Sequence, residues 1–166
     1  MKALTIWQPW ASLIMAGAKP FEFRGWRAPR SMIGQRIVIH AAKRRPDWHE
    51  CRHLLLALQE GGEIAAETCL HPAIALPILC GCVDELPRSA GLGTAIIGEP
   101  RLGTRIAEEF GMPRVNDSDR DQHANWGWPM LDVEVWPEPI PMRGAQGFWH
   151  WHTPGDLSLV AEAVDA

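Results

Sequence analysis

The chain has 166 residues, 46% of them hydrophobic and 22% charged, which suits one globular domain with a real core and excludes wholesale disorder. A net charge of −4 excludes a protein that coats long stretches of duplex, yet leaves room for a small ligand or a few nucleotides in one basic pocket. No apolar run is long enough to span a membrane, the N-terminus lacks a secretory layout, and four cysteines predict reduced thiols in a cytoplasmic protein.

Residues 3–6 predict a first strand. Pro9 suits the start of a helix, with Trp10, Leu13 and Ile14 on one face and Gly17 as its stop. Phe21 to Trp26 alternates as a strand, and Arg36 to Ala42 reads as a buried one. Asp47 and Glu50 form a capping-box-like pair opening a helix that runs to Gly61–Gly62. A second helical stretch spans 72–86 with Pro77 interrupting it. Gly91 to Pro100 predicts a strand and Arg105 to Phe110 a short helix, while 115–125 is a polar loop with Asp117, Asp119 and Asp121. Trp128 to Trp136 and Phe148 to His152 predict the last two strands. The chain divides as one domain over 1–152, with a helical insertion near 47–86 and a tail at 153–166.

Nine Trp, four Phe and no Tyr supply flat apolar faces that serve a core or a stacked base equally well. Lys19, Glu22 and Arg24 gather where the first helix gives way to a strand. Glu22 and Arg24 share one face of that strand, roughly 7 Å apart along it. Lys19 offers a point charge and Arg24 a planar fork for phosphate or carboxylate; Glu22 either accepts from a base amino group or neutralises Arg24. His40 and Lys43 follow on the next strand, His40 as a titrating group or as a hydrogen-bonded core histidine. Trp7, Trp10 and Trp26 are near enough to wall the site, Trp10 with the stronger claim to the core. Gln8 and Ser12 serve either a ligand or a cap. Arg143 and Gln146 lie on a tight loop able to close over a pocket.

His49-Glu50-Cys51-Arg52-His53 fits a His-Glu-x-x-His zinc pattern, with Glu67, Cys69 or His71 as a third ligand. Glu50 is already explained by the cap, so zinc hydrolysis is the third reading. Cys69, His71, Cys80 and Cys82 have irregular spacing for a structural zinc site, and the aspartate loop lacks the glycine and glutamate of a calcium loop. No cofactor is expected.

Three ordered segments carry a family resemblance. Trp7-Gln8-Pro9-Trp10, followed by Gly17-Ala18-Lys19-Pro20-Phe21-Glu22-Phe23-Arg24, resembles the ASCH signature Gly-x-Lys-x-x-Glu-x-Arg. Ile39-His40-Ala41-Ala42-Lys43 is similar to a family strand ending in His-Ala and a lysine. Pro137 to Pro141, with Arg143 to Trp149, looks like the closing strands. The resemblance implies an α+β fold, a PUA-like mixed β-barrel of five or six strands with surrounding helices. It also implies single-stranded RNA or a nucleoside- or nucleotide-like ligand, held by Lys19, Glu22, Arg24, Trp26, His40, Lys43, Trp7, Gln8, Ser12, Arg143 and Gln146. The alternative is a hydrolase of RNA or an acylated nucleoside at the same pocket, with Lys19 and Glu22 catalytic. In related acetylcytidine amidohydrolases the motif lysine works with a threonine three positions on. Here that position is Glu22, a carboxylate suited to general-base action on water but not to a hydroxyl's nucleophilic role. An acid from the variable middle, Glu108 or Glu109, would complete such a site.

Overall fold

A computed structural model describes residues 1–60, 69–109 and 126–152. Its centre is one curled mixed sheet. The strands are β1 (Lys2–Ile6), β2 (Phe21–Arg24), β3 (Arg36–Ala41), β4 (Ala90–Ile97), β5 (Arg101–Leu102), β6 (Trp126–Pro141) and β7 (Phe148–His150). They run in the order β2-β6-β4-β3-β1-β7, with β5 beside β6, as a half-barrel. β1 and β3 are parallel; the other pairings are antiparallel.

The six expected strands all form. The seventh, β5, has two residues, too short to show alternation in a sequence. β6 runs five residues beyond the expected Trp136, through Pro137, Pro139 and Pro141. Proline normally ends a strand because it cannot donate to the ladder. Here the pairing of β6 with β4 shifts register between Gly91 and Gly93, so the stretch between Val135 and Ile140 escapes regular pairing and resumes at Ile140 and Pro141.

The helices are α1 (Trp10–Met15), α2 (Trp48–Glu60), α3 (Pro72–Cys80) and α4 (Gly103–Glu109). Gly17, at φ +75°, ends the α1 region as expected. Asp47 Oδ1 accepts from the amides of His49 (2.8 Å) and Glu50 (3.1 Å), capping α2. α1 is buried on two sides. Ala11, Ile14 and Met15 face the sheet with Leu4, Ile39 and Trp128, whereas Leu13 meets Leu54, Leu58, Leu70 and Leu79 from the α2–α3 side. Truncating Leu13, Ile14 or Met15 to Ala costs about 2–5 kcal/mol. That double burial fixes where the Lys19–Arg24 segment leaves the helix. The aspartate loop and the tail after His152 lie outside the described residues. No described helix is long and apolar enough to cross a membrane.

Candidate functional site

Because β1 and β3 run parallel, the residues that follow each emerge on the same edge of the sheet. Trp7 follows β1 and Lys43 follows β3, and Arg24 ends β2. The β6–β7 connection, Pro141 to Gly147, arches over that edge. Together they enclose an open cleft of about 1230 Å³. Of the expected ligand residues, Trp7, Arg24, Trp26, His40, Lys43, Arg143 and Gln146 line it. Among the described residues no Asp or Glu does, so Arg24, Lys43 and Arg143 make a local positive patch on an acidic protein.

Two indole rings remain open beside those cations. Trp7 is 56% exposed, with the Arg44 guanidinium 4.1 Å from its ring centroid. Trp26 is 44% exposed and held edge-on by Trp128 at 4.7 Å, while Trp128 Nε1–H donates to the Trp26 carbonyl oxygen at 3.2 Å. One ring is therefore backed by a cation and the other by a fixed aromatic wall, which leaves flat faces for stacking.

His40 is buried at the cleft floor. Its Nε2 lies 2.9 Å from the Met142 carbonyl oxygen and its Nδ1 3.2 Å from Thr5 Oγ1. The carbonyl only accepts, so Nε2 carries the proton. Burial pushes its pKa below the ordinary 6.5, opposed by the Met142 contact. His40 is thus a hydrogen-bonded interior histidine, and it also lines the cleft.

A smaller chamber of about 260 Å³ adjoins the cleft through Thr5, Trp7 and Arg24, and is completed by Ile6, Trp10, Glu22, Phe23 and Glu50. Glu22 and Arg24 share a face, as expected from their spacing, and pair at 2.9 Å. Arg24 also donates to the Thr5 carbonyl oxygen at 3.2 Å.

Three expected residues sit elsewhere. Lys19 lines neither cavity. It is 1% exposed, with its ammonium 5.0 Å from the Trp10 ring and 5.1 Å from the Phe23 ring and no hydrogen-bond partner among the described residues. Gln8 and Ser12 are engaged with each other at the start of α1. The Gln8 amide donates to Ser12 Oγ (2.8 Å) and to the Pro87 carbonyl (2.7 Å), and its oxygen accepts the Ser12 N–H at 3.0 Å. That satisfies an amide the first turn would otherwise orphan.

Sequence reasoning missed Thr5, Ser89, Met142 and Gly144 as cleft residues. Gly144 had the best available signal, a glycine in a tight inter-strand loop. A Cβ there would stand 2.7 Å from His40 Nδ1 and 2.8 Å from Thr5 Oγ1, so only glycine lets the loop settle on the histidine.

The zinc pattern is not assembled. His49 and His53 are exposed on α2 while Cys51 between them is buried, its thiol pushed up to about 11, mainly by desolvation. Cys69 is buried against Phe23 and Ile106, with a thiol likewise raised to about 11, and His71 is exposed. Among the described residues no group of three or more His, Cys, Asp or Glu is placed to hold a metal. Glu67 lies outside the described residues. Glu109 is paired with Arg101, away from both cavities.

The family model for the ASCH domain matches residues 4–86, half of the chain and all of the Lys19–Arg24 motif. The chain belongs to the ASCH domain family. This ASCH domain is also similar in fold to a crystal structure of ASCH from Zymomonas mobilis, at 13% identity and TM-score 0.51, covering 97% of this chain and 93% of that one. Crystal structures of two single-substitution mutants of that Zymomonas mobilis protein give 14% and 13% identity, each at TM-score 0.50. They cover 97% and 98% of this chain and 96% and 94% of theirs. The curled sheet with flanking helices is accordingly a PUA-like α+β fold. No curated protein matches the chain.

Proposed function

We propose that this ASCH domain binds single-stranded RNA or a nucleotide-like ligand in the cleft at the β1–β3 edge. The observation that carries the reading is the convergence of Arg24, Lys43 and Arg143, from three distant segments, around the open faces of Trp7 and Trp26. Single strands offer such a site two things at once, phosphates for the cations and bases for the rings. Stacking on an aromatic face contributes about 1–3 kcal/mol per base. The family's association with RNA points the same way.

The test is a fluorescence titration with short single-stranded RNA against the wild type, Lys43→Ala, Arg143→Ala and Trp26→Ala. All three side chains are exposed or line the open cleft, so folding should survive each change. Each substitution should weaken binding about 5- to 50-fold. Affinity indifferent to all three would refute the reading. Mass spectrometry of the same mixtures reports cleavage or deacylation. Product that depends on Glu22 would convert the binding site into a hydrolytic one.

A further inference from the structure

Three residues other than glycine take a positive φ among the described ones: Cys69 (53°), Ser89 (50°) and Asp132 (46°). The left-handed region crowds a Cβ against the backbone and is cheapest for glycine, so each such side chain needs a reason. Asp132 pairs with Arg36, and Cys69 packs against Phe23 and Ile106. Ser89 has no such use inside the protein. Its N–H donates to the Ala42 carbonyl oxygen at 3.4 Å, and its carbonyl oxygen accepts from the Met142 N–H at 2.8 Å. Glycine would make both bonds with less strain. The Ser89 hydroxyl makes no hydrogen bond among the described residues, and Ser89 lines the cleft.

The register of the sheet says what lies on either side of that residue. Ala90 pairs with Ala41 of β3 and with Pro141 of β6, so Ser89 continues the rung between Ala42 and Met142. The next residues on the two flanking segments are Lys43 and Arg143, both at the cleft. Neighbouring strands lie about 4.8 Å apart, which puts the two cation-bearing segments about 9.6 Å apart with Ser89 between them. A single strand alternates phosphate and sugar. Where Lys43 and Arg143 hold successive phosphates, the group between them is one sugar. The open rings that would hold bases, Trp7 and Trp26, follow β1 and β2, outside the rung of Ser89.

A serine hydroxyl both donates and accepts, and so does the ribose 2′-hydroxyl, which deoxyribose lacks. We infer that Ser89 hydrogen-bonds the 2′-hydroxyl and makes the cleft select ribose over deoxyribose strands. The inference rests on the proposal that the cleft takes a nucleic-acid strand.

The experiment is a fluorescence titration of the wild type and Ser89→Gly with one short cytosine–adenine sequence. It is made as RNA, as DNA and as the 2′-fluoro strand, which keeps an RNA-like sugar pucker without the hydroxyl. One neutral hydrogen bond corresponds to a preference of about 2- to 12-fold. The wild type should bind RNA tighter than DNA by that factor, with the 2′-fluoro strand level with DNA. Ser89→Gly should bring RNA down to the DNA level and leave DNA affinity unchanged. Its melting temperature should not fall, because φ near 50° suits glycine. A fall would mean that the serine serves the fold, and overturns the assignment. So does equal binding of RNA and DNA by the wild type, a 2′-fluoro strand bound as tightly as RNA, or an RNA preference that survives Ser89→Gly. Each of these leaves the cleft reading standing. Binding of no strand at all overturns both.

Discussion

His40 Nε2–H donates to the Met142 carbonyl oxygen at 2.9 Å, fastening β3 to the loop that carries Arg143. On the other side of the ring Thr5 Oγ1 accepts from Trp149 Nε1–H at 3.0 Å and so has its own proton available for His40 Nδ1. A neutral imidazole satisfies every partner. A protonated one would make Thr5 Oγ1 accept a second N–H and leave the Thr5 proton without His40 as its acceptor, so the loop and the charge state of His40 are linked.

That linkage has a sign. Burial holds the folded pKa of His40 below 6.5, so the unfolded chain takes up its proton first as pH falls. The His40 contribution to stability is therefore complete above pH 6.5 and declines as pH drops from there through the folded pKa. Urea-denaturation midpoints at successive pH values from 8 to 5 should fall more steeply for the wild type than for His40→Gln. Parallel curves would refute the link.

Gly144→Ala should displace the same loop from above. The added methyl meets His40 and Thr5 side chains that are tied into one hydrogen-bond chain and cannot yield. Overpacking of this kind costs about 1–3 kcal/mol. RNA affinity should drop about 10-fold with a modest loss of stability, read by titration and thermal melting of the same preparation.

Lys19→Ala should act on the fold. Its stem and charge fill the space between Trp10 and Phe23, at 5.0 and 5.1 Å from their ring centroids. Truncation leaves a gap and removes the cation held between the two rings, a loss of about 2–4 kcal/mol. Lys43→Ala, at an exposed position, should change stability by less than about 0.5 kcal/mol. Chemical denaturation of both variants separates the two roles, and a Lys19→Ala protein as stable as Lys43→Ala would contradict the burial argument.

Salt should weaken binding in proportion to the cations that meet phosphate. With about 0.7 counterions released per contact to a single strand, Lys43 and Arg143 predict a log–log slope of about −1.4, Arg24 being already neutralised by Glu22. Arg143→Ala and Lys43→Ala should each reduce its magnitude by about 0.7. An unchanged slope in either variant means that side chain does not reach phosphate.

Thiol labelling checks the interior independently of any ligand. Cys51 and Cys69 are buried with thiols near 11, while Cys80 and Cys82 are exposed. Iodoacetamide at pH 7.5 should modify the latter pair in the native protein and all four in urea, as peptide mass spectrometry would show.

The order of helices and strands was legible in local pattern. Alternation located β2, the apolar run located β3, and Asp47 and Gly17 marked helix ends by chemistry that operates within a few residues. The family motif, from Gly17 to Arg24, was legible for the same reason: it is contiguous. Also readable were the shared face of Glu22 and Arg24 and the acidic balance against duplex coating, since both follow from strand period and composition alone.

What local pattern does not contain is which side of a residue becomes interior. Lys19 and Lys43 are equally charged in sequence, yet one lies in an aromatic sandwich and the other at an open rim, because α1 is buried on two faces and carries Lys19 inward with it. The cleft joins Thr5, Arg24, His40 and Arg143 across 138 positions of chain (143 less 5), through parallel pairing of β1 with β3 and the return of β7 to β1. Strand pairing is a free-energy choice among distant segments, settled by burial of the whole sheet. Only the tertiary structure decides it, and with it which of the motif's side chains can meet a ligand.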